Sequence, residues 1–188
     1  GNTTTILWAV EAICLCFIGY KSARKAYLSL SVALLLLTFF SMLLDWRNYF
    51  VMISNPPQDI IPFFNTNFLS SIFVCIILAS MAMMSRKFKS SSTGIVLNFL
   101  ERFLPFAFIV FLYGNLHFET NFWWSTFAEN HKVLQAEKWR VLILLFLAML
   151  YLTTWLIINI GVIKNKYLSI FMLILSAYVV MVFMSSGL

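Results

Sequence analysis

The sequence predicts an all-α, polytopic integral membrane protein, and two observations lead to this fold class. The chain has 188 residues, of which 62% are hydrophobic and only 11% are charged, whereas soluble domains carry about 25% charged residues. So few charges cannot cover a surface in water, and lipid must be part of the solvent. The apolar runs are long and lack the alternation of a barrel strand, so helices are the structures that satisfy the backbone groups inside the bilayer.

Six apolar segments account for a single transmembrane domain over residues 1–188. Crossing a hydrocarbon core of roughly 30 Å takes about 17–25 helical residues. The first segment is short for a span, so we expect residues 3–5 to extend it. The segments cover approximately residues 6–20, 27–44, 67–84, 95–116, 139–163 and 167–185.

Basic residues are distributed unequally between the two sides of this arrangement. Nine of the thirteen Lys and Arg residues lie on the side of the first, third and fifth loops. The positive-inside rule places that side in the cytoplasm of a bacterial inner membrane, with both termini in the periplasm. Attraction to anionic lipid then explains the net charge of +6, so we predict membrane lipid as a partner and no nucleic acid. The nine residues are Lys21, Arg24, Lys25, Arg86, Lys87, Lys89, Arg102, Lys164 and Lys166.

The two loops on the opposite side are long and rich in aromatic residues, and we expect both to lie on the membrane surface. In residues 45–66, Asp45 ends the second segment at headgroup depth, where aromatic residues are common. In residues 117–138, Ser125 or Thr126 is expected to cap a short helix that leads into the fifth segment.

The first and last hairpins carry a similar series of residues. Ile18-Gly19 is followed by lysines and then by Tyr27-Leu28-Ser29, and Ile160-Gly161 is followed by lysines and then by Tyr167-Leu168-Ser169. Repeated helix hairpins would produce this pattern. Any basic turn between two apolar helices would look similar, so both interpretations stay open.

Glu11 stands near the middle of the first segment, where an ionised carboxylate is costly. Ala9, Ala12, Cys16 and Gly19 form a stripe of small residues that lets another helix approach closely. Glu11 lies about 120° from the centre of this stripe on a helical wheel. One interpretation is a carboxyl group buried against protein and hydrogen-bonded to another helix, and the other is a proton or substrate site. The candidate partners are Asn98, Asn159, Thr153 and Thr154.

Asp45, His117 and Glu119 are weak candidates for catalytic acid–base chemistry near the outer surface. His117 and Glu119 would also suit a metal ion, but two ligands in a loop do not make a site. We therefore predict no metal and no cofactor, and we expect both residues to lie at the membrane interface.

Polar residues also mark the start of the fourth segment, where Asn98, Glu101 and Arg102 precede Pro105. Arg102 can extend its charged end to the interface, and Pro105 should kink the helix by freeing the carbonyl group of Glu101. The kinked helix either lines a cavity with an acid–base pair or lies with its first turns in the interface.

Familiar catalytic motifs are absent from the sequence. It has no Walker loop, HExxH or GxSxG pattern, so the ATPase and hydrolase classes that these motifs define are disfavoured as functions. The cysteines, Cys14, Cys16 and Cys75, lie inside apolar segments, where we expect them to act as small packing residues.

The opening stretch "GNTTTILWAVEAICLCFIGYKSARK" places Trp8 and Glu11 three residues apart ahead of a basic hairpin, and the next helix reaches Asp45 and Trp46. This series, with "PFFNTNFLSS" further on, resembles a large uncharacterised family of bacterial multi-pass membrane proteins with repeated Trp-Ala-x-Glu helices, especially its Bacteroidetes-type members. The resemblance implies that the chain is a piece of a longer member, whose other helices would be its partners. It implies no activity, cofactor or catalytic residue.

Three functional hypotheses follow. The first is a non-enzymatic scaffold or transport-like protein that handles components of the cell envelope. The second is a membrane enzyme that acts on a lipid-linked substrate at the outer leaflet through Asp45, His117 or Glu119. The third is a proton- or ion-coupled carrier that uses Glu11. A cavity that reaches Glu11 would favour the third, and convergence of Asp45, His117 and Glu119 would favour the second.

Overall fold

The computed structural model describes residues 2–22, 24–54, 61–87 and 95–185, and these residues form helices joined by short connections. No strand occurs among them, so the predicted all-α class is confirmed. A π-helical turn, Asn159–Ile163, follows the fifth helix. The helices are α1 (Asn2–Ser22), α2 (Lys25–Ser54), α3 (Thr66–Lys87), α4 (Ile95–His131), α5 (Ala136–Ile158) and α6 (Lys166–Ser185).

Six helices in the described part of the chain are long and apolar enough to cross a membrane, as the sequence predicts. The extension of the first span through residues 3–5 is also confirmed, because α1 begins at Asn2. The spans are Thr3–Ser22, Lys25–Arg47, Thr66–Lys87, Arg102–His131, Ala136–Gly161 and Lys166–Ser185.

Two loop predictions are wrong, because the flanking helices continue through the polar residues. Asp45 does not end the second helix, which runs on to Ser54. No separate capped helix precedes α5, because α4 continues to His131. The hydroxyl groups of Ser125 and Thr126 donate instead to the carbonyl oxygen of Phe122, at 2.8 and 3.1 Å. Side chains that bond to the preceding turn in this way are compatible with a helix interior.

The chain divides into two compact units, unit 1 (Gly1–Glu119) and unit 2 (Thr120–Leu188). Unit 1 contains α1, α2, α3 and the first part of α4. Unit 2 contains the rest of α4 and the hairpin of α5 and α6. The single transmembrane domain over residues 1–188 stays a prediction.

The small-residue stripe of α1 lies at the centre of unit 1, where α1 packs along α2 and α3. Ala9, Ala12 and Cys16 are almost completely buried, and the hydroxyl group of Ser31 on α2 donates to the carbonyl oxygen of Ala12 at 2.8 Å. Leu7, on the opposite side of the helix, is 60% exposed. The packing prediction for the stripe is therefore confirmed.

Larger apolar side chains from the other three helices complete the core of unit 1. The rings of Phe39 on α2 and Phe111 on α4 are stacked, with centroids 4.8 Å apart and planes 8° apart. Burial of such rings and of the surrounding aliphatic chains holds α4 within the unit. The core also contains Leu35, Met42, Val74, Leu78, Met81, Leu100 and Leu104.

Unit 2 has few buried side chains in its hairpin. Those of α5 are Ala148, Tyr151 and Leu152, and those of α6 are Leu168 and Met172. Most of the remaining surface of both helices is apolar and exposed. Lipid is the natural solvent for such a surface.

Candidate functional site

A cleft lies in unit 1 where α2, α3 and α4 meet. It is narrow: the space between its atoms is about 270 Å³ when the open solvent at its mouth is counted, but only about 10 Å³ of it admits the centre of a water molecule. The lining combines two carboxylates, three other polar side chains and three aromatic rings, and it includes no Lys, Arg or His. The lining residues are Asp45, Trp46, Asn67, Phe68, Ser71, Asn115, Phe118 and Glu119.

Asp45 reaches the cleft because α2 continues past it, and it is held there by α1. The hydroxyl group of Thr5, which is 3% exposed, donates to a carboxylate oxygen of Asp45 at 2.9 Å. The same hydroxyl group lies 2.6 Å from that of Ser41. Asp45 is itself only partly buried, so its carboxylate remains open to the cleft.

Trp46 forms an ordered wall of the cleft. Its indole N–H donates to Oδ1 of Asn115 at 3.0 Å, and its ring packs on those of Phe111 and Phe118 at centroid distances of 5.1 and 5.4 Å. Gly114 makes this position possible, because a Cβ atom there would overlap the indole ring. The sequence predicts Trp46 only as an interfacial residue, and its contacts with α4 come from the fold.

Asn115 lines the cleft, although the sequence did not predict it as a candidate residue. It is 4% exposed, and its amide group both accepts from Trp46 and donates to Sγ of Cys75 at 3.4 Å. An asparagine inside an apolar helix, next to a glycine, was the available signal, because polar residues inside a span are costly unless they have partners.

Glu119 also lines the cleft and is 1% exposed. Its carboxylate accepts from the backbone N–H of Phe63 and from Nδ2 of Asn65, the latter at 2.8 Å. Asn65 also caps α3, since its Oδ1 accepts from the backbone N–H of Phe68 at 2.8 Å. The prediction that Glu119 lies on the surface is therefore wrong, because the chain before α3 folds over this carboxylate.

His117 lies beside the cleft rather than in its lining. It is half-buried, and its Nδ1 is 3.4 Å from the hydroxyl group of Tyr113. Successive helical positions two residues apart point in different directions, so His117 and Glu119 do not share a face. Of the three weak catalytic candidates, the fold thus brings together Asp45 and Glu119. Within the described ranges, no group of three or more His, Cys, Asp or Glu side chains is arranged to hold a metal ion.

Glu11 is exposed, so the prediction of a buried, hydrogen-bonded carboxyl group is wrong. The small-residue stripe determines which side of α1 faces inward, and Glu11 lies well away from it on the helical wheel. In the part of the chain that the structure describes, no hydrogen bond or ion pair involves Glu11. It also does not line the cleft.

The proposed partners of Glu11 have other contacts. Asn159 is fully buried within its own hairpin, where it donates to the carbonyl oxygen of Asn165 at 2.9 Å and to Ser169 Oγ at 2.6 Å. Thr153 and Thr154 are exposed and donate to carbonyl oxygens of their own helix. These hydroxyl and amide groups are satisfied locally, which is the usual outcome for polar groups inside a span.

The remaining polar candidates lie near the start of α4. Arg102 is exposed, as expected of a side chain that extends to the interface, and Pro105 is buried inside the helix. The side chains of Asn98 and Glu101 lie outside the described residues, as does Lys89.

The cleft therefore offers two carboxylates, amide groups and an aromatic wall, but within the residues that line it there is no cysteine or histidine. Such a lining can form hydrogen bonds to a polar group. No family model, curated protein or solved structure matches the chain, so the family resemblance stays a prediction.

Proposed function

We propose that the chain is a non-enzymatic, transport-like or scaffold protein of the bacterial inner membrane that binds amphiphilic components of the cell envelope. The cleft of unit 1 is the binding site. The single observation that carries this proposal is the polar lining of a cleft inside a bundle of membrane-spanning helices. Small-molecule sites usually combine a concave shape with a few well-placed polar groups.

The surroundings of the cleft match an amphiphile. The residues before and at the start of α3 present exposed apolar side chains, with Ile61 at 66%, Phe64 at 78% and Leu69 at 52% exposure. Asn67, Phe68 and Ser71, in the same stretch, line the cleft. A headgroup that places one small polar group in the cleft would thus leave its apolar part beside apolar side chains.

The charge distribution favours one side of the membrane for this binding. The cleft lies near the start of α1, since Thr5 bonds to Asp45, and the start of α1 is remote from the basic residues Lys21, Arg24 and Lys25 in sequence. The positive-inside rule predicts that the basic loops lie in the cytoplasm, so we expect the cleft at the periplasmic side, which favours components of the outer leaflet.

The proposal can be tested by filling the cleft. Ser71→Leu adds three carbon atoms at a lining position that is 9% exposed. Ser80→Leu makes the same change elsewhere on α3, outside the lining, and is the matched control. Native mass spectrometry of protein extracted from membranes in mild detergent measures the lipid that each variant retains.

We expect Ser71→Leu to lower the occupancy of bound lipid by about tenfold, which corresponds to about 1.4 kcal/mol of binding free energy. Ser80→Leu should retain the wild-type occupancy. If both variants fold and retain equal amounts of lipid, the cleft is not the lipid-binding site.

A membrane enzyme is the second candidate, and the observation that favours it is the presence of Asp45 and Glu119 in one cleft. Two carboxylates can share acid and base roles, and a positioned acid or base contributes roughly 10²–10⁴-fold to rate. If lipid-linked substrates incubated with the protein are chemically altered, and if Asp45→Asn slows this change by about 100-fold or more, the enzyme hypothesis replaces the binding proposal.

The carrier hypothesis has the least support. It needs a cavity that connects Glu11 to water, and the cleft is lined by other residues. Glu11 lies on the exposed side of α1 instead.

A further inference from the structure

Both carboxylates that line the cleft act as hydrogen-bond acceptors. Asp45 accepts from the hydroxyl group of Thr5 at 2.9 Å. Glu119 accepts from the backbone N–H of Phe63 and from Asn65 Nδ2. In these bonds the carboxyl oxygens only accept, as the oxygens of an ionised carboxylate do. The lining residues include no Lys, Arg or His side chain that could balance the two groups.

A buried hydroxyl group in the same lining is also open to a ligand. Ser71 lines the cleft and is 9% exposed, and its hydroxyl group makes no hydrogen bond to any residue that the structure describes. The other serines of α3 differ, since Ser70, Ser80 and Ser85 each donate to a carbonyl oxygen three or four residues earlier. Burying a hydroxyl group without a partner costs free energy, and a molecule in the cleft can supply that partner.

The remaining groups of the lining favour a cation over an anion. The amide group of Asn115 is already occupied, because its Oδ1 accepts from Trp46 and its Nδ2 donates to Cys75 Sγ. The rings of Trp46, Phe68 and Phe118 also line the cleft, and aromatic rings attract cations. A phosphate group would meet two carboxylates and no cationic side chain in this lining.

The size of the enclosed space limits the cation to one about as large as a water molecule. A primary ammonium group meets this limit, and its three N–H groups are donors for the oxygen atoms of Asp45, Ser71 and Glu119. A trimethylammonium group is larger and has no N–H donor. A metal ion is disfavoured, because the described ranges contain no group of three or more His, Cys, Asp or Glu side chains that could hold one.

We propose that the cleft selects amphiphiles whose headgroup ends in a primary ammonium group, which donates hydrogen bonds to Asp45, Ser71 and Glu119. This inference rests on the binding of amphiphiles proposed above, and it names the headgroup that the cleft accepts. The apolar part of such a molecule then lies beside the exposed side chains of Ile61 and Phe64.

Competition between two lipids that differ only in the methylation of the amine tests this selection. The full chain, purified and delipidated in mild detergent, is incubated with equal amounts of dioleoyl phosphatidylethanolamine and dioleoyl phosphatidylcholine. The buffer contains potassium and is free of ammonium and of primary amines, which would compete for the cleft. Lipids that remain bound after affinity purification are extracted and quantified by mass spectrometry. We expect the wild type to retain about tenfold more phosphatidylethanolamine than phosphatidylcholine.

Substitutions in the cleft then locate the selection. Asp45→Asn removes one charge but keeps an oxygen that can accept from Thr5, and we expect the preference to fall to about twofold or less. Ser71→Ala removes the hydroxyl group without filling the cleft, and we expect a loss of about threefold in the preference. Glu129→Gln neutralises an exposed carboxylate near the end of α4, outside the lining, and should keep the wild-type preference.

The outcomes separate this inference from the proposed function. If the wild type retains the two lipids equally while Ser71→Leu still lowers the total bound lipid, the ammonium inference fails and the binding proposal stands. If Ser71→Leu retains as much lipid as Ser80→Leu, both fail. An unchanged preference in folded Asp45→Asn and Ser71→Ala would place the selection outside the cleft. A preference that disappears when sodium replaces potassium at the same concentration would assign the cleft to a sodium ion instead.

Discussion

The two terminal hairpins have similar sequences but are held together in different ways. In the hairpin of α1 and α2, Gly19 is packed so tightly that a Cβ atom would lie 2.9 Å from the side chain of Leu28. In the hairpin of α5 and α6, Gly161 has no neighbour within 4 Å of that position. The leucine of the shared Tyr-Leu-Ser series is buried in both cases, as Leu28 and Leu168.

Hydrogen bonds at the turn take the place of close packing in the hairpin of α5 and α6. Asn159 donates to Asn165 and Ser169 and accepts from the backbone N–H of Asn165 at 3.1 Å. Oδ1 of Asn165 accepts in turn from the backbone N–H of Leu168 at 3.3 Å, at the start of α6. Similar residues therefore do not imply similar energetics, and the repeat itself stays a prediction.

The largest effect is expected from breaking the turn of the second hairpin with Asn159→Leu. The change leaves Ser169 and two backbone groups of Asn165 without their partner, and each buried polar group that loses its bond costs about 1–3 kcal/mol. We expect the free energy of unfolding, measured by denaturant titration in detergent, to fall by about 3 kcal/mol. Thr154→Val, which affects an exposed hydroxyl group on the same helix, is the control and should change little.

A somewhat smaller effect is expected from overfilling the first hairpin with Ala12→Leu. Ala12 is fully buried, so the added carbon atoms must push α1 away from α2, at a cost on the order of 1–3 kcal/mol. Ala33→Leu makes the same change at an exposed position of α2. If the two variants melt at the same temperature, close packing does not stabilise this hairpin.

The two glycines allow the most direct comparison. Gly161→Ala should stabilise the protein by about 0.5–1 kcal/mol, because alanine restricts the unfolded chain and meets no neighbour. Gly19→Ala should destabilise it by about 1 kcal/mol or more, because Leu28 has to move. Thermal unfolding of the two single variants should therefore shift in opposite directions, and shifts of the same sign would contradict the proposed difference.

The smallest effect is expected for Glu11 in the isolated monomer. Because its side chain is exposed and makes no bond within the described residues, Glu11→Gln should change the free energy of unfolding by less than about 0.5 kcal/mol in monomeric detergent solution. Glu11→Leu should be equally mild there. A large loss for either variant under these conditions would show a contact within the monomer.

Composition, together with the lengths of the apolar runs, was sufficient to predict the class of the protein and the number of its candidate spans. A bilayer excludes unpaired backbone groups, and this constraint acts on each apolar segment separately. The inward face of α1 was predictable for a similar local reason, since alanine, cysteine and glycine at helical spacing permit close approach wherever the partner lies. Helix ends were less predictable, because Asp45 and Ser125 are compatible with both a loop and a helix interior.

The cleft and the exposure of Glu11 were decided only by the tertiary structure. Asp45, Asn115 and Glu119 come from different helices or different turns, and nothing local in the sequence relates Glu119 to the backbone of Phe63. The stripe of small residues predicts which side of α1 packs inward, but Glu11 lies about 120° from the centre of that stripe. Whether a residue at that angle is covered depends on where α2 and α3 lie around α1, and this is a long-range property of the packing that no single segment encodes.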